Sequence, residues 1–395
     1  MVSLSIDADD EPKEAPKGVL DDGIGVYLKR SLGEVLFGTK LNILGLCIPL
    51  AFIAKHQEWD QGYIFAFSLL AIAPIAERIG FVTEQLALYT NPTIGGLLNA
   101  SMGNITELII CIIAIKTGEL RVVQLSLLGS ILSNLMLVLG CAFLAGGMRH
   151  PIQNFNKSAS STNASLLMLA VLCLVLPSAL QTSGGLGSDE AEALSKDLEL
   201  SRFSSVLMLL VYAATIIFQL KTHTHLFDEE DDEDEESILG FWGAMFWMAV
   251  ITVLLAFLSE FLVVTIKGAS ESYGISSYFL TTIVLPIVGN AAEHAAAVVM
   301  AYKNKMEISM GVAVGSATQI ALFVIPACVV VGWAADVDLD LDFSVFDTMA
   351  MVSSVLVVVM IIQHGESHWL HGLMLVTAYI IVAGAYWVHV DESLE

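Results

Sequence analysis

Two glutamates stand at matched places in long apolar runs. Glu107 lies in Gly-Asn-Ile-Thr-Glu-Leu-Ile-Ile (residues 103–110) and Glu293 in Gly-Asn-Ala-Ala-Glu-His-Ala-Ala (289–296). They are 186 positions apart, as are Asn104 and Asn290, and the same offset carries Gly129-Ser130 onto Gly315-Ser316. A carboxylate in the middle of a membrane helix is costly, so it faces a partner or a wet cavity. A buried ion pair is the bland alternative, but neither run holds a Lys or Arg before its end. Asn and Glu three apart share one helical face. Gly103 and Gly289 leave room for a close helix approach or for a break that exposes backbone carbonyls. Carboxylate, amide and carbonyl oxygens are hard ligands that suit Ca2+, which takes about 6–8 oxygens in irregular geometry. Two carboxylates also match its two charges. Glu107, Glu293, Asn104 and Asn290 are therefore the candidate Ca2+ and proton site, with the two glutamates as metal ligands.

The following apolar run in each half supplies supporting polar groups. Ser130 and Ser133 share a face, and the 186-residue offset carries them onto Ser316 and Gln319. A membrane serine commonly bonds its own backbone four residues back, which is the competing reading for the three serines. Thr83-Glu84 and Ser259-Glu260 recur ahead of the two motifs. Glu84 and Glu260 are candidates for lining the approach, unless they simply face water. Glu77 beside Arg78 reads as a local pair. His294 is divided between packing and proton handling.

These residues need long helices to position them. Of the 395 residues, 56% are apolar and 15% charged, with a mean hydropathy of +0.74. The apolar runs have the length a bilayer core of roughly 30 Å demands. The expected fold is all-α, a polytopic membrane protein of about eleven helices. They are expected near 38–55, 63–88, 94–116, 122–147, 163–182, 203–221, 238–267, 278–301, 308–334, 346–363 and 368–389. Residues 1–37 read as a disordered cytosolic tail and 38–55 as an extra helix. Residues 63–221 form a first group of five helices and 238–390 a second. Five crossings per group make the second enter from the opposite side, an inverted repeat of the kind used by secondary transporters. A linker at 222–237 holds nine consecutive acids: Asp228, Glu229, Glu230, Asp231, Asp232, Glu233, Asp234, Glu235 and Glu236. It reads as a solvated linker or a cation-attracting regulatory segment, and it lacks the alternating pattern of an EF-hand. With the amino terminus cytosolic, ten Lys/Arg fall on the cytosolic side and six on the other. That places the acidic run in the cytosol and the carboxyl terminus outside it.

The net charge of −24 argues against nucleic-acid binding. The five cysteines all lie in apolar runs without CxxC spacing, so neither a zinc site nor a disulfide frame is expected. The polar first 40 residues lead one to expect no cleavable signal peptide. No HExxH or GxGD motif points to an intramembrane protease, and the chain is not expected to be an enzyme or to hold a cofactor.

At these residues the chain resembles the calcium/proton exchanger family of the Ca2+/cation antiporter superfamily. The stretches that carry the likeness are TIGGLLNASMGNITELI (93–109), GSILSNLMLVLG (129–140), PIVGNAAEHAAAV (286–298) and GSATQIALFVIP (315–326). The acidic run between the halves matches as well. The resemblance implies eleven helices and Ca2+ and proton binding at Glu107 and Glu293, with Asn104, Asn290, Ser130, Ser316 and Gln319 nearby. It also implies a vacuolar membrane location. Sodium/calcium exchangers have Pro before the motif acid, where this chain has Thr106 and Ala292, which favours protons over Na+. Thr106 itself departs from the family's usual apolar residue and could add a ligand. The expected partners are Ca2+, H+ and the lipid bilayer, with homo-oligomerisation left open. Ca2+ and H+ would compete for one midplane site under alternating access. Exchange of Mn2+ or another divalent ion is the nearest alternative. A cation channel is the alternative of another class, although channels usually repeat around the pore axis.

Overall fold

In a bilayer every backbone polar group must be satisfied within the chain, so an apolar sequence of this length resolves into helices. The computed structural model describes residues 24–90, 95, 97, 98, 102–185, 190–226 and 238–389. Over these the chain is almost wholly helical. The elements are α1 (Ile24–Phe37), α2 (Cys47–His56), α3 (Gln61–Ala87), α4 (Ile105–Thr117), α5 (Leu120–Arg149), α6 (Lys157–Thr182) and α7 (Glu190–Ile217). There follow α8 (Gly240–Tyr273), α9 (Ser277–Gly289), α10 (Ala291–Tyr302), α11 (Met306–Ala334), α12 (Val345–Ile362) and α13 (Trp369–Val388). Among the described residues eight helices are long and apolar enough to cross a membrane, or up to ten if each of two bent pairs is one span.

Helices α5 and α11 form the core. Over their most apolar stretches they are 83% and 67% buried, against 28% for the helix that contains α7 and 22% for α13. α3 packs along α8, α5 along α13, α7 along α11 and α6 along α12. Gly129 permits one close approach: a Cβ there would lie 2.0 Å from the carbonyl oxygen of Thr282, so α5 meets α9 backbone to backbone. Short π-helical segments interrupt the central helices at Ser133–Val138, Leu280–Val284, Gly311–Gly315 and Ile320–Val324. Such segments widen a helix by one residue and re-aim the side chains beside them. Ser133, Ser316 and Gln319 all lie in or next to one. A two-residue antiparallel pair, β1 (Gln153–Asn154) with β2 (Glu366–Ser367), ties the loop after α5 to the loop after α12.

Three expectations change. Residues 24–37 are helical, not part of a disordered tail: the acidic opening masks an amphipathic stretch when composition is averaged. α1 docks through Ser31, whose hydroxyl accepts from Trp247 Nε1 at 2.7 Å, and through Glu34 O, which accepts from Arg78 Nη1 at 2.9 Å. The expected helix at 38–55 opens as a 3-10 stretch, Lys40–Leu46, and α1 meets it at 88°. The helix expected at 278–301 is two helices bent by 55° at Asn290. The acidic residues 228–236 and most of the 222–237 linker lie outside the described residues.

Candidate functional site

The site is built at two equivalent helix starts. Asn104 precedes α4 with φ −108° and ψ 25°, and Asn290 precedes α10 with φ −100° and ψ 18°. Each break resets the chain so that Glu107 and Glu293 fall in the first turn of the helix that follows. The positive end of the helix dipole favours a negative group there, as a side chain or as a bound counter-charge. Gly289 ends the helix before the break. A Cβ at that position would meet nothing within 4 Å, so close packing does not explain it.

Side chains from the two core helices join these starts. Ser316 Oγ donates to Asn104 Oδ1 at 2.9 Å and lies 3.4 Å from Glu293 Oε2. Asn104 Nδ2 donates to Gln319 Oε1 at 2.8 Å. On the other side Asn290 Nδ2 donates to Ser130 Oγ at 3.4 Å. Ser133 Oγ is 3.3 Å from His294 Nε2. The two halves are therefore stitched crosswise: the first-half asparagine to second-half helix α11, the second-half asparagine to first-half helix α5. The serines are spent on cross-helix contacts, not on their own backbones. Asn134, which sequence reading passed over, belongs to the same network. It is wholly buried and donates to Ser316 Oγ at 3.1 Å. Its signal was an amide inside an apolar run beside Ser133.

The two carboxylates differ in their surroundings. Glu107 is 7% exposed, and its Oε1 has no hydrogen-bond partner. It faces a small cavity of about 20 Å³ lined by Thr106, Ser126, Ser130, Pro286 and Asn290 among others. Glu293 is half-buried on the wall of a cleft of about 690 Å³ that also takes in Glu84, Gly103, Asn104, Ser316 and Gln319. Thr106 lines both spaces. Glu84 thus stands on the approach. Glu260 does not line the cleft: it is exposed, while its neighbour Ser259 turns into the core. One residue along a helix is about 100° of rotation, so only one of the two can point inward. Glu77 binds Arg78 in an ion pair at the cleft's mouth. An acceptor-rich set of two carboxylates, amide oxygens and hydroxyls is suited to a hard cation that must lose its water shell. Among the described residues no group of three or more His, Cys, Asp or Glu side chains is placed to hold a metal ion. A bound ion would therefore draw on amide and hydroxyl oxygens beside the two acids.

The profile of the sodium/calcium exchanger protein family matches residues 61–221 and 243–388, one segment for each half. The vacuolar cation/proton exchanger 3 of Oryza sativa subsp. japonica is 46% identical over 376 residues, covering 92% of this chain and 89% of its own. The vacuolar cation/proton exchanger 2 of Arabidopsis thaliana is 44% identical over 401 residues, covering 98% and 88%. The solved structure of native YfkE superposes with a TM-score of 0.75 at 35% identity, over 88% of this chain and 100% of that one. A crystal structure of the H+/Ca2+ exchanger CAX shares the fold at 12% identity and a TM-score of 0.67 over 92% of this chain. With both motif-bearing halves matched and relatives of this identity along nearly its whole length, the chain belongs to the sodium/calcium exchanger protein family.

Proposed function

We propose that this protein is an antiporter of the vacuolar membrane that moves Ca2+ out of the cytosol in exchange for H+. One observation carries the reading: two motif glutamates stand at equivalent helix starts inside an apolar bundle, beside asparagines that bond crosswise to the core helix of the other half. Cation/proton exchange and the vacuolar location are supported by the names of the curated relatives. Ca2+ is supported by the ligand chemistry and by a solved relative described as a Ca2+/H+ antiporter, 35% identical.

The architecture proposed is eleven crossings: the span led by α2, then two inverted groups of five. The packing supports it. α3 lies on α8 and α6 on α12, each element on its counterpart, and the contact of α4 with α8 answers that of α10 with α3. The Lys/Arg distribution supports a cytosolic amino terminus and acidic linker. In that orientation the cleft opens to the cytosol.

Ca2+ enters the cleft past Glu84 and reaches Glu293 and Asn104. Its second countercharge is Glu107, which the cation meets only when Thr106 and the α4 start shift toward it. Two protons leave the carboxyls as the cation arrives, so the site's charge is balanced in both forms. The α5 and α11 network then lets one half close as the other opens. The test is purified protein in vesicles under an imposed pH gradient. Ca2+ uptake that collapses with the gradient and ignores a Na+ gradient supports the reading. Uptake driven by Na+, or insensitive to pH, overturns it. Preference for Mn2+ over Ca2+ in the same assay would reassign the cation while leaving the site.

A further inference from the structure

A second group of acids lies at the far end of α11 from the cleft, and the exchange site does not use it. α11 lines the cleft with Ile308, Ser316 and Gln319 and ends at Ala334. The loop that follows carries Asp338, Asp340 and Asp342. It is folded down onto the bundle. Leu341 N donates to Ser201 Oγ at 3.0 Å and Phe343 N to Ser178 Oγ at 2.9 Å. Asp340 Oδ1 accepts from Gln124 Nε2 at 2.8 Å and from Asp342 N at 3.1 Å. Beneath the loop, on α7, lies Asp197. It is 1% exposed, and neither of its carboxylate oxygens has a hydrogen-bond partner. Ser201, one turn along the same face, is the residue that binds the loop, so Asp197 is aimed at it. Asp340 and Asp342 flank Leu341, the loop residue that Ser201 holds.

A buried carboxylate with no donor and two acids on the loop above it is strongly disfavoured when ionised. It must hold something positive. The nearby cations are already engaged: Arg121 with Asp347 at 2.6 Å, Arg202 with Asp338 at 3.0 Å, and Lys196 with Glu192 at 2.7 Å. Asp347 is further closed by the hydroxyls of Tyr278 and Tyr386. Among the described residues these acids are not grouped so as to hold a metal ion. A proton fits. Burial pushes the carboxyls of Asp340 and Asp342 above the usual carboxylate range, more than the bonds to Asp342 N, Gln124 and Ser178 pull them back. A cavity of about 380 Å³ lined by Arg121, Gln124, Asp338, Asp340, Asp342 and Ser344 opens the loop side to solvent. On α5, Gln124 stands six residues, roughly 9 Å, from Ser130, with Ser126 of the Glu107 cavity between them.

We propose that Asp197, Asp340 and Asp342 form a proton-holding station at the end opposite the cleft, which takes protons from that compartment and supplies the carboxylate pair through Glu107. Each step moves one proton from an acid to a carboxylate, with no other bond changed. The proposal rests on the exchange reading above.

The test is Asp197→Asn in the full-length protein in vesicles, with the pH varied on the side opposite the cleft. The expected result is that half-maximal exchange moves about one pH unit more acidic, a tenfold loss of apparent proton affinity. The Ca2+ dependence on the cleft side should be unchanged, and Asp197→Glu should return the profile toward wild type. Infrared difference spectra between neutral and acidic buffer give a readout without transport: a carboxylic-acid band of the wild type should be missing in Asp197→Asn. An unchanged pH profile, or a retained band, overturns the station. Wild-type vesicles without proton-coupled uptake would defeat the exchange reading, and the infrared comparison would still decide the station. Should Asp197→Asn fail to insert, Asp340→Asn on the loop carries the same two readouts.

Discussion

The Glu107 half and the Glu293 half are alike in sequence and unlike in surroundings. Both glutamates follow an Asn by three residues and sit in the first turn of a helix. Yet Glu107 is closed into a cavity of about 20 Å³ with one oxygen unpartnered, and Glu293 stands on the wall of a cleft of about 690 Å³. Two equivalent halves of one chain cannot both be open if access is to alternate. On the proposed exchange reading, this difference is what a single conformation should show. It teaches that the motif fixes where the two glutamates stand, while the packing of the core helices fixes which of them is open.

The sharpest way to break this comparison is to remove the two acids one at a time. Glu107→Gln and Glu293→Gln should each insert and fold yet lower Ca2+ uptake at least ~100-fold, since a dication left with one countercharge in a low-dielectric site loses about 3 kcal/mol or more. The double change should be little worse. Near-normal exchange in either variant would remove that glutamate from the site. A large difference between the two would mean that the open and closed positions are permanent, not interchanging.

The equivalent glycines offer a stability test. An added methyl at Gly129 runs into Thr282 O, whereas one at Gly315 meets nothing within 4 Å. Gly129→Ala should cost about 1–3 kcal/mol by overpacking. Gly315→Ala should be neutral or stabilising by about 0.5–1 kcal/mol, through the lost flexibility of the unfolded chain. Thermal unfolding in detergent measures both; equal shifts would show that the α5–α9 contact is looser than described.

Smaller effects should follow from Asn134, which has Ile320 at its place in the other half. Asn134→Ala removes the donor to Ser316. Loss of one neutral hydrogen bond costs about 1 kcal/mol, so half-saturating Ca2+ should rise roughly fivefold, while Ile320→Val leaves it unchanged. The least effect belongs to the approach. Glu84→Gln should raise half-saturating Ca2+ about twofold at low ionic strength, and the change should fade as salt screens the cleft. Glu260→Gln, off the cleft, should leave uptake as it was. A salt-insensitive effect of Glu84→Gln would make it a ligand and not a steering charge.

The membrane class, the helical content and the key pair were legible because they depend on local composition and spacing. A run of some 20 apolar residues must be a helix in lipid, and a repeated Gly-Asn-x-x-Glu places two acids on equivalent faces whatever surrounds them. The approach was half legible. Thr83-Glu84 and Ser259-Glu260 look alike as dipeptides, but the rotation of α3 turns Glu84 into the cleft and that of α8 turns Glu260 away from it. Asn134 was hidden because a single amide in an apolar run carries no pattern, and α1 because an acidic opening dilutes its amphipathic stretch.

The sequence by itself determined that this chain fills a bilayer with helices and sets two equivalent carboxylates within them, because apolar run length and periodicity are properties of the chain alone. Only the tertiary structure decided which asparagine meets which serine, which carboxylate is open, and that Asp197 lies without a partner under Asp340 and Asp342. Those are contacts between residues more than a hundred positions apart. They depend on helix rotation, on the breaks at Asn104 and Asn290, and on one glycine that lets two helices touch, and no short stretch of sequence encodes them.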